Sequence, residues 1–262
     1  HGDFNKMLEK FKTYIIICIK IIWHKCIPYS IKILFNKSPH GDMENKVYAF
    51  NIFKRHVQKH ITNPNGTILE IGPGDSPYSS IISIEYGFSK ALLLDNANYF
   101  DINKYQKECK MIEYLTEGID SLRNIESETV DYSFSHTVLQ HIHKDEIDSY
   151  LKNLYRVMKK DSKSSHYIDF KDMLFGRFNH LIVNNLIWES SIIRSCFFYT
   201  NRLRKSQMIR LFKENGFHVT IIEEKSLLND LKIKRNSLSK NFFSISEDDL
   251  SCSSMHILVQ KK

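Results

Sequence analysis

The spacing of apolar positions changes period along this chain. Between residues 67 and 170, short apolar runs alternate with stretches patterned at helical spacing. Thr67–Ile71, Lys90–Asp95, Met111–Leu115, Val130–Ser135 and Ser164–Phe170 read as strands. Tyr78–Tyr86, a segment near Tyr99–Cys109, and Asp145–Met158 read as helices. The last carries Ile147, Tyr150, Leu151, Leu154 and Val157 on one face. Lys205–Asn215 reads as a further helix closed by Gly216, with strands at Phe217–Glu223 and Ser254–Gln260. Strands alternating with helices predict an α/β fold, a mostly parallel sheet with helices on both faces.

Two regions depart from that rhythm. Residues 4–26 read as a helix with Lys6, Glu9, Lys10, Thr13, Lys20 and His24 near one side. Ile15, Ile16, Ile19, Ile21, Ile22 and Trp23 cover much of the rest, and Pro28 ends or kinks it. The densest apolar run, Tyr14 to Trp23, contains Lys20 and is too short to span a bilayer, which takes ~20 apolar residues. Two readings stay open: a cap or dimerisation helix packed on the main domain, or a basic amphipathic segment over residues 4–36 resting on an anionic membrane surface. Residues 43–61 read as a second helix. The turn cluster Asn63-Pro64-Asn65-Gly66 then divides an N-terminal helical segment, 1–62, from a main domain, 63–262. The second departure, residues 171–204, is an aromatic and apolar insertion after the fifth strand. It reads as a lid over an acceptor pocket or as an ordinary packed helical hairpin.

Charge sharpens the division. The whole 262-residue chain carries a formal net charge of +7. Residues 1–62 hold 11 Lys/Arg against four acids, so the excess belongs to them and the rest is balanced. A balanced main domain argues against nucleic acid as a partner. Five cysteines with no CxxC pair fit a reducing, cytoplasmic compartment and supply no metal or disulfide framework.

Candidate chemistry gathers where the strands end. Thr67-Ile68-Leu69-Glu70-Ile71 runs into Gly72-Pro73-Gly74, and 21 residues after Gly74 the second strand ends in Asp95. A strand feeding a glycine-rich loop presents backbone N–H groups to a ligand. An acid at the tip of the next strand is placed to hold the hydroxyls of a ribose. Together they predict a nucleoside cofactor site.

The ordered set of motifs resembles the class I S-adenosylmethionine (SAM)-dependent methyltransferases, in the small-molecule branch of type 11 or type 12. Ile68–Gly74 resembles that family's first motif and Leu94-Asp95-Asn96 its ribose-binding strand end. Asp131 to Ile142 is similar to its fourth motif, Leu154–Lys159 to the helix leading to strand 5, and Asn215-Gly216-Phe217 to its approach to strand 6. The resemblance covers roughly residues 65–262. It implies a Rossmann-like seven-stranded sheet with an antiparallel last strand at Met255–Val259. One departure is informative: Ser76 or Pro77 stands where dinucleotide enzymes place a third glycine against the pyrophosphate. SAM has no phosphate, so the departure favours SAM over NAD.

The resemblance implies site residues. Gly72, Pro73 and Gly74 would approach the cofactor through their backbone. Glu70 would orient the loop or the cofactor's amino group, Asp95 would take the ribose with Asn96 next to it, and Thr116 and Glu117 are candidates for the adenine side. Ser135 and His136 would lie close to the sulfonium. His141, one turn after strand 4, is a candidate base, its alternative a packing histidine. His166 and Asp169 on strand 5 are further catalytic candidates. The segments His166–Phe170 and Tyr199–Arg204 are similar to glycan-associated type 12 enzymes, which makes Asn201 and Arg202 candidates for a sugar or anionic acceptor. An Asp169–Arg202 ion pair is the structural alternative. The expected function is methyl transfer from SAM, leaving S-adenosylhomocysteine, to O or N of a small-molecule or carbohydrate acceptor in the cytoplasm, with the inner membrane surface as an extension. An RNA methyltransferase and a non-catalytic SAM-binding partner subunit are the alternatives.

Overall fold

The computed structural model describes residues 2–26, 45–105, 110–174, 177–227 and 235–262. Seven strands form one sheet: β1 (Thr67–Ile71), β2 (Lys90–Leu94), β3 (Ile112–Leu115), β4 (Val130–His136), β5 (Met158–Asp169), β6 (Phe217–Ser226) and β7 (Cys252–Lys261). Their order across the sheet is β3-β2-β1-β4-β5-β7-β6. The first five are mutually parallel; β7 runs antiparallel between β5 and β6. The expected Rossmann-like sheet with its antiparallel last strand is the sheet observed.

The helices are α1 (Gly2–Cys26), α2 (Lys46–Phe53), α3 (Tyr78–Tyr86), α4 (Ile119–Asn124), α5 (Ile147–Val157), α6 (Asn185–Trp188), α7 (Ser191–Arg194), α8 (Lys205–Glu214) and α9 (Glu247–Ser251). Alternation along each strand sends side chains to opposite faces. Leu69, Ile71, Leu92 and Leu94 pack with the apolar faces of α5 and α8; Ile68, Ala91, Leu93, Tyr132 and Phe134 pack with α2 and α3. α2 continues into a π-helical turn, Lys54–Gln58, whose Val57 and His56 are fully buried against the sheet. Residues 46–58 therefore share the core of residues 63–262. Of the helix expected near Tyr99–Cys109, a 3-10 turn at Ile102–Tyr105 is seen, and residues 106–109 lie outside the described residues.

α1 docks on the insertion after β5 through a mixed face, Tyr14, Ile17 and Ile21 beside Thr13 and Lys20. Thr13 and Ile17 are buried, packed with Val183, Trp188, Ile193 and Phe198. The Lys20 ammonium donates to the Met173 carbonyl, and Lys25 Nζ donates to Ser195 Oγ at 2.8 Å. Met7, Phe11, Ile15, Ile19 and Ile22 are left exposed.

Candidate functional site

Parallel register brings the carboxyl ends of β1, β2, β4 and β5 level: Ile71 lies beside both Leu94 and Ser135, and Ser135 beside His166. Ligands in open α/β sheets sit beyond this edge. Gly72 turns the chain there with φ 71. A Cβ on it would meet Val138 Cγ2 at 2.3 Å, so the first loop packs directly on the loop after β4. Gly74 also has positive φ, and its N–H is bonded to Asp95.

Asp95 tips β2. Its Oδ1 accepts from the Asn96 N–H at 2.8 Å, and among the described residues no cation pairs with it. Burial pushes its carboxyl up to about 6, against the pull of the Asn96 and Gly74 N–H groups. The neighbouring loop is tied on by backbone: Gly118 N–H donates to the Asp95 carbonyl at 2.8 Å, which sets Glu117, exposed, beside Asn96. Asn96 Oδ1 is held by the Tyr99 hydroxyl at 2.8 Å.

Glu70 is buried beneath the loop. One carboxylate oxygen accepts from Ser79 Oγ, the other from Ser80 Oγ at 2.5 Å, both in the first turn of α3. Burial raises it to about 7 despite these bonds. Of the two expected roles, bracing the loop is the one its contacts carry. Among the described residues, the buried Tyr150 hydroxyl of α5 and the buried Gln140 side-chain carbonyl have no hydrogen-bond partner, and the Asp95 charge acts on Tyr150. An unpartnered buried polar atom costs ~1–3 kcal/mol. Here the Tyr150 hydroxyl, the Asp95 carboxylate and two positive-φ glycines gather at one strand edge, with Gln140 in the loop after β4, which fits a polar ligand with hydroxyl and amine groups.

β4 ends in the expected Ser135-His136 pair, but its two side chains point to opposite faces. Ser135 Oγ bonds His166 Nδ1 at 2.8 Å, and Ser164 Oγ bonds His166 Nε2 at 2.7 Å. With both ring nitrogens taken and its ring against Phe212 of α8, His166 is fully enclosed. Burial pushes its pKa down to about 3. The expectation of a catalytic His166 is corrected: it ties β4 to β5 under α8. Ser135 is likewise buried and occupied.

On the other face His136 stacks on Tyr167 with ring centroids 4.9 Å apart. Its Nδ1 bonds His56 Nε2 at 3.0 Å, and His56 Nδ1 bonds Ser165 Oγ at 2.8 Å. Ser165 Oγ bonds His256 Nε2, also at 2.8 Å. Burial lowers His136 and His256 to about 4, and His56 well below its ordinary value. Sequence reading missed His56, Ser165 and His256 as partners of His136, because elements distant in the chain assemble them. Thr137, the next residue, holds φ 58, an uncommon conformation for a β-branched residue. Its N–H donates to the Tyr167 carbonyl at 2.8 Å, so the chain leaves β4 at a fixed angle.

His141 behaves differently from His166. Its Nδ1 lies 2.7 Å from the Tyr199 carbonyl oxygen. A carbonyl only accepts, so Nδ1 carries the proton and the neutral ring keeps its lone pair on Nε2. Nε2 has no hydrogen-bond partner among the described residues. Burial lowers its pKa, opposed by the Tyr199 carbonyl and the Asp169 charge, so the neutral ring prevails at pH 7. Asp169 is bonded to Lys171, through its N–H at 2.9 Å and its ammonium at 3.0 Å.

The acceptor candidates are corrected too. Asn201 is buried, donating to the carbonyls of Leu139 at 2.8 Å and Ile142 at 3.0 Å while accepting from the Leu203 N–H. Arg202 is buried, donating to the carbonyls of His180 and Val183 and to Asn185 Oδ1. The Asp169–Arg202 pair does not form. Asn201 ties the insertion to the loop after β4, and Arg202 braces the insertion internally. Among the described residues, His143, Asp145 and Glu146 bring one ligand atom each within 4.8 Å of one another. They lie at the surface, and both Asp145 oxygens take Arg194.

Comparison with known proteins agrees with this architecture. Residues 69–164 match the family described as "Methyltransferase domain". No curated protein matches the sequence. Among solved structures, the chain is similar to the YcgJ protein of Bacillus subtilis at TM-score 0.54 and 12% identity, covering 82% of this chain and 99% of that one. It is also similar to Haemonchus contortus phosphoethanolamine N-methyltransferase 2 in complex with S-adenosyl-L-methionine, at TM-score 0.53 and 16% identity. That match covers 82% of this chain and 52% of the other, so the chain spans about half the length of that enzyme. The cyclase SpnF matches at TM-score 0.52 and 9% identity, covering 82% and 80%. These likenesses concern the fold, and the fold is that of the class I methyltransferases.

Proposed function

We propose, from the premise that residues 69–164 are a methyltransferase domain within a class I methyltransferase fold, that this chain binds SAM and transfers its methyl group to an oxygen or nitrogen of a small-molecule or carbohydrate acceptor. The observation that carries the reading is Asp95: a buried-edge carboxylate, unpaired with any cation among the described residues, held beside the Gly74 N–H. Such a group accepts hydrogen bonds from the two hydroxyls of a ribose. Gly72–Gly74 supply the close backbone approach, and Glu70, through Ser79 and Ser80, keeps that loop in place. Tyr150 and Gln140 offer the unpartnered polar atoms that a polar cofactor would satisfy.

When bound, SAM supplies an electrophilic methyl group on a positively charged sulfur. Transfer is then an in-line displacement whose rate comes largely from alignment and from exclusion of water. An oxygen or nitrogen acceptor loses a proton in the process. His141 Nε2, a lone pair on a neutral ring fixed by Tyr199, is the base we assign. Asp169 acts through space on that ring, favouring the imidazolium once it forms. Since SpnF is a cyclase on a similar fold, the fold alone does not choose the reaction; the tautomer of His141 favours proton-accepting chemistry.

Calorimetry with SAM and S-adenosylhomocysteine tests the first step. Binding of both is expected, and failure to bind either overturns the reading. His141→Ala is expected to keep cofactor affinity and to lose ~10²–10⁴-fold in turnover on any acceptor found by label transfer from SAM. Full turnover in that variant would remove His141 as the base.

A further inference from the structure

The outward face of α1 carries a stripe of large apolar side chains where an ordinary surface helix is polar, while its inward face mixes Tyr14, Ile17 and Ile21 with Thr13, Lys20 and His24. Met7, Phe11, Ile19 and Ile22 are 64, 62, 57 and 56% exposed, with Leu8 and Ile15 between them. Stepping by three and four residues, they form one stripe ~22 Å long at 1.5 Å per residue. Thr13, Lys20 and His24 face the insertion instead, where Lys20 sits 5.8 Å from the Phe197 ring. The stripe is not isolated. Beside α1, Leu186 and Phe243 expose 84 and 49% of their surface and border a cavity of about 680 Å³ shared with Lys10 and Tyr14. No helix among the described residues is long and apolar enough to cross a membrane.

We infer that this face of α1 docks on an anionic lipid surface, lying in its plane. Charge selects that occupant. Lys12 is exposed at one margin of the stripe and Lys25, which also donates to Ser195 Oγ, at the other, and residues 2–26 hold five lysines, of which Lys20 turns to the insertion, against Asp3 and Glu9. A second copy packed stripe to stripe would bring the same positive margins together, whereas anionic headgroups neutralise them. Long lysine stems let ammonium groups reach headgroups while neighbouring isoleucines enter the acyl boundary.

Co-sedimentation of the full chain with vesicles tests this. Vesicles of phosphatidylcholine containing about 30% phosphatidylglycerol are expected to bind it at least ~10-fold more tightly than phosphatidylcholine alone, and high salt abolishes the difference. The double substitution Ile15→Glu and Ile19→Glu, on side chains pointing away from the domain, is expected to lower binding at least ~10-fold with the melting temperature unchanged. Lys12→Gln is expected to weaken it about five-fold, and Ile22→Gln gives a milder apolar change. Absence of binding by the wild-type chain to the phosphatidylglycerol vesicles overturns the inference whatever the variants do. So does a concentration-dependent dimer, seen by sedimentation velocity without vesicle binding, that Ile15→Glu and Ile19→Glu dissolve; the stripe then belongs to a second copy.

Discussion

The carboxyl edge of β1 and β2 and the insertion after β5 are both rich in polar residues, yet they use them in opposite ways. Around β1 and β2, polar atoms are left with capacity to spare: among the described residues Asp95 has no cation, and the Tyr150 hydroxyl and Gln140 side-chain carbonyl have no partner. In the insertion, Asn201, Arg202 and Arg204 are buried with their donors consumed by carbonyls. Type and position in the sequence do not separate a ligand-binding arginine from a clamp. What separates them is whether the folded chain already supplies the acceptors. Four predictions test that division.

The largest effect is expected at Arg204. Its guanidinium is fully buried and donates to the carbonyls of Phe170 at 3.1 Å, Asp249 at 3.2 Å, Leu250 at 2.9 Å and Cys252 at 2.6 Å. Desolvation lowers its pKa to about 10, so it stays charged at neutral pH. Arg204→Leu strands those carbonyls and is expected to cost ~3–5 kcal/mol, read as a fall in denaturation midpoint at constant slope. A neutral result would mean the insertion is held by something else. Asp95→Asn sits on the other side of the comparison. It is expected to weaken SAM ~10–100-fold, from a loss of ~1.5–3 kcal/mol in charge-assisted bonding, with no fall in stability of the ligand-free chain. Unfolding instead of lost affinity would make Asp95 a clamp as well.

Legibility in the sequence followed the same division. The strand order was readable because apolar runs of the right length end where glycine and acid mark a loop, and backbone pairing then fixes the register. That Glu70, Gly72, Gly74 and Asp95 lie together at one strand edge was readable because their spacing is local to one βαβ unit. The roles of Asn201, Arg202 and His166 were not. Each depends on partners 19 to 62 residues away: the His180 and Val183 carbonyls for Arg202, Leu139 and Ile142 for Asn201, Ser135 for His166. The orientation of α1 was unreadable for a related reason. Periodicity locates an apolar face but does not say whether the domain or another phase receives it.

A smaller effect sharpens the insertion's side of the comparison. Arg202→Lys keeps the charge but loses the planar fork that reaches His180 at 3.1 Å, Val183 at 2.8 Å and Asn185 at 2.7 Å. As a clamp it is expected to lose ~1–2 kcal/mol of stability while the KM for the acceptor stays unchanged. A raised KM at unchanged stability would restore Arg202 to the acceptor site.

The smallest effect separates Asp95 from Glu70 at the carboxyl edge of β1 and β2. Burial raises Asp95 to about 6 and Glu70 to about 7. If the ionised form of Asp95 receives the ribose, SAM affinity is flat at higher pH and falls once pH drops below about 6, because binding must then expel a proton. One proton limits the slope to about tenfold per pH unit, so a loss of a few-fold near pH 5.5 is expected. If the charge of Glu70 were what the cofactor senses, the decline would begin near 7 instead. Isothermal titration across this window places the break, and Asp95→Asn abolishes it only in the first case. A break near 7 that survives Asp95→Asn would transfer the contact to Glu70 and leave Asp95 without a ligand-binding role.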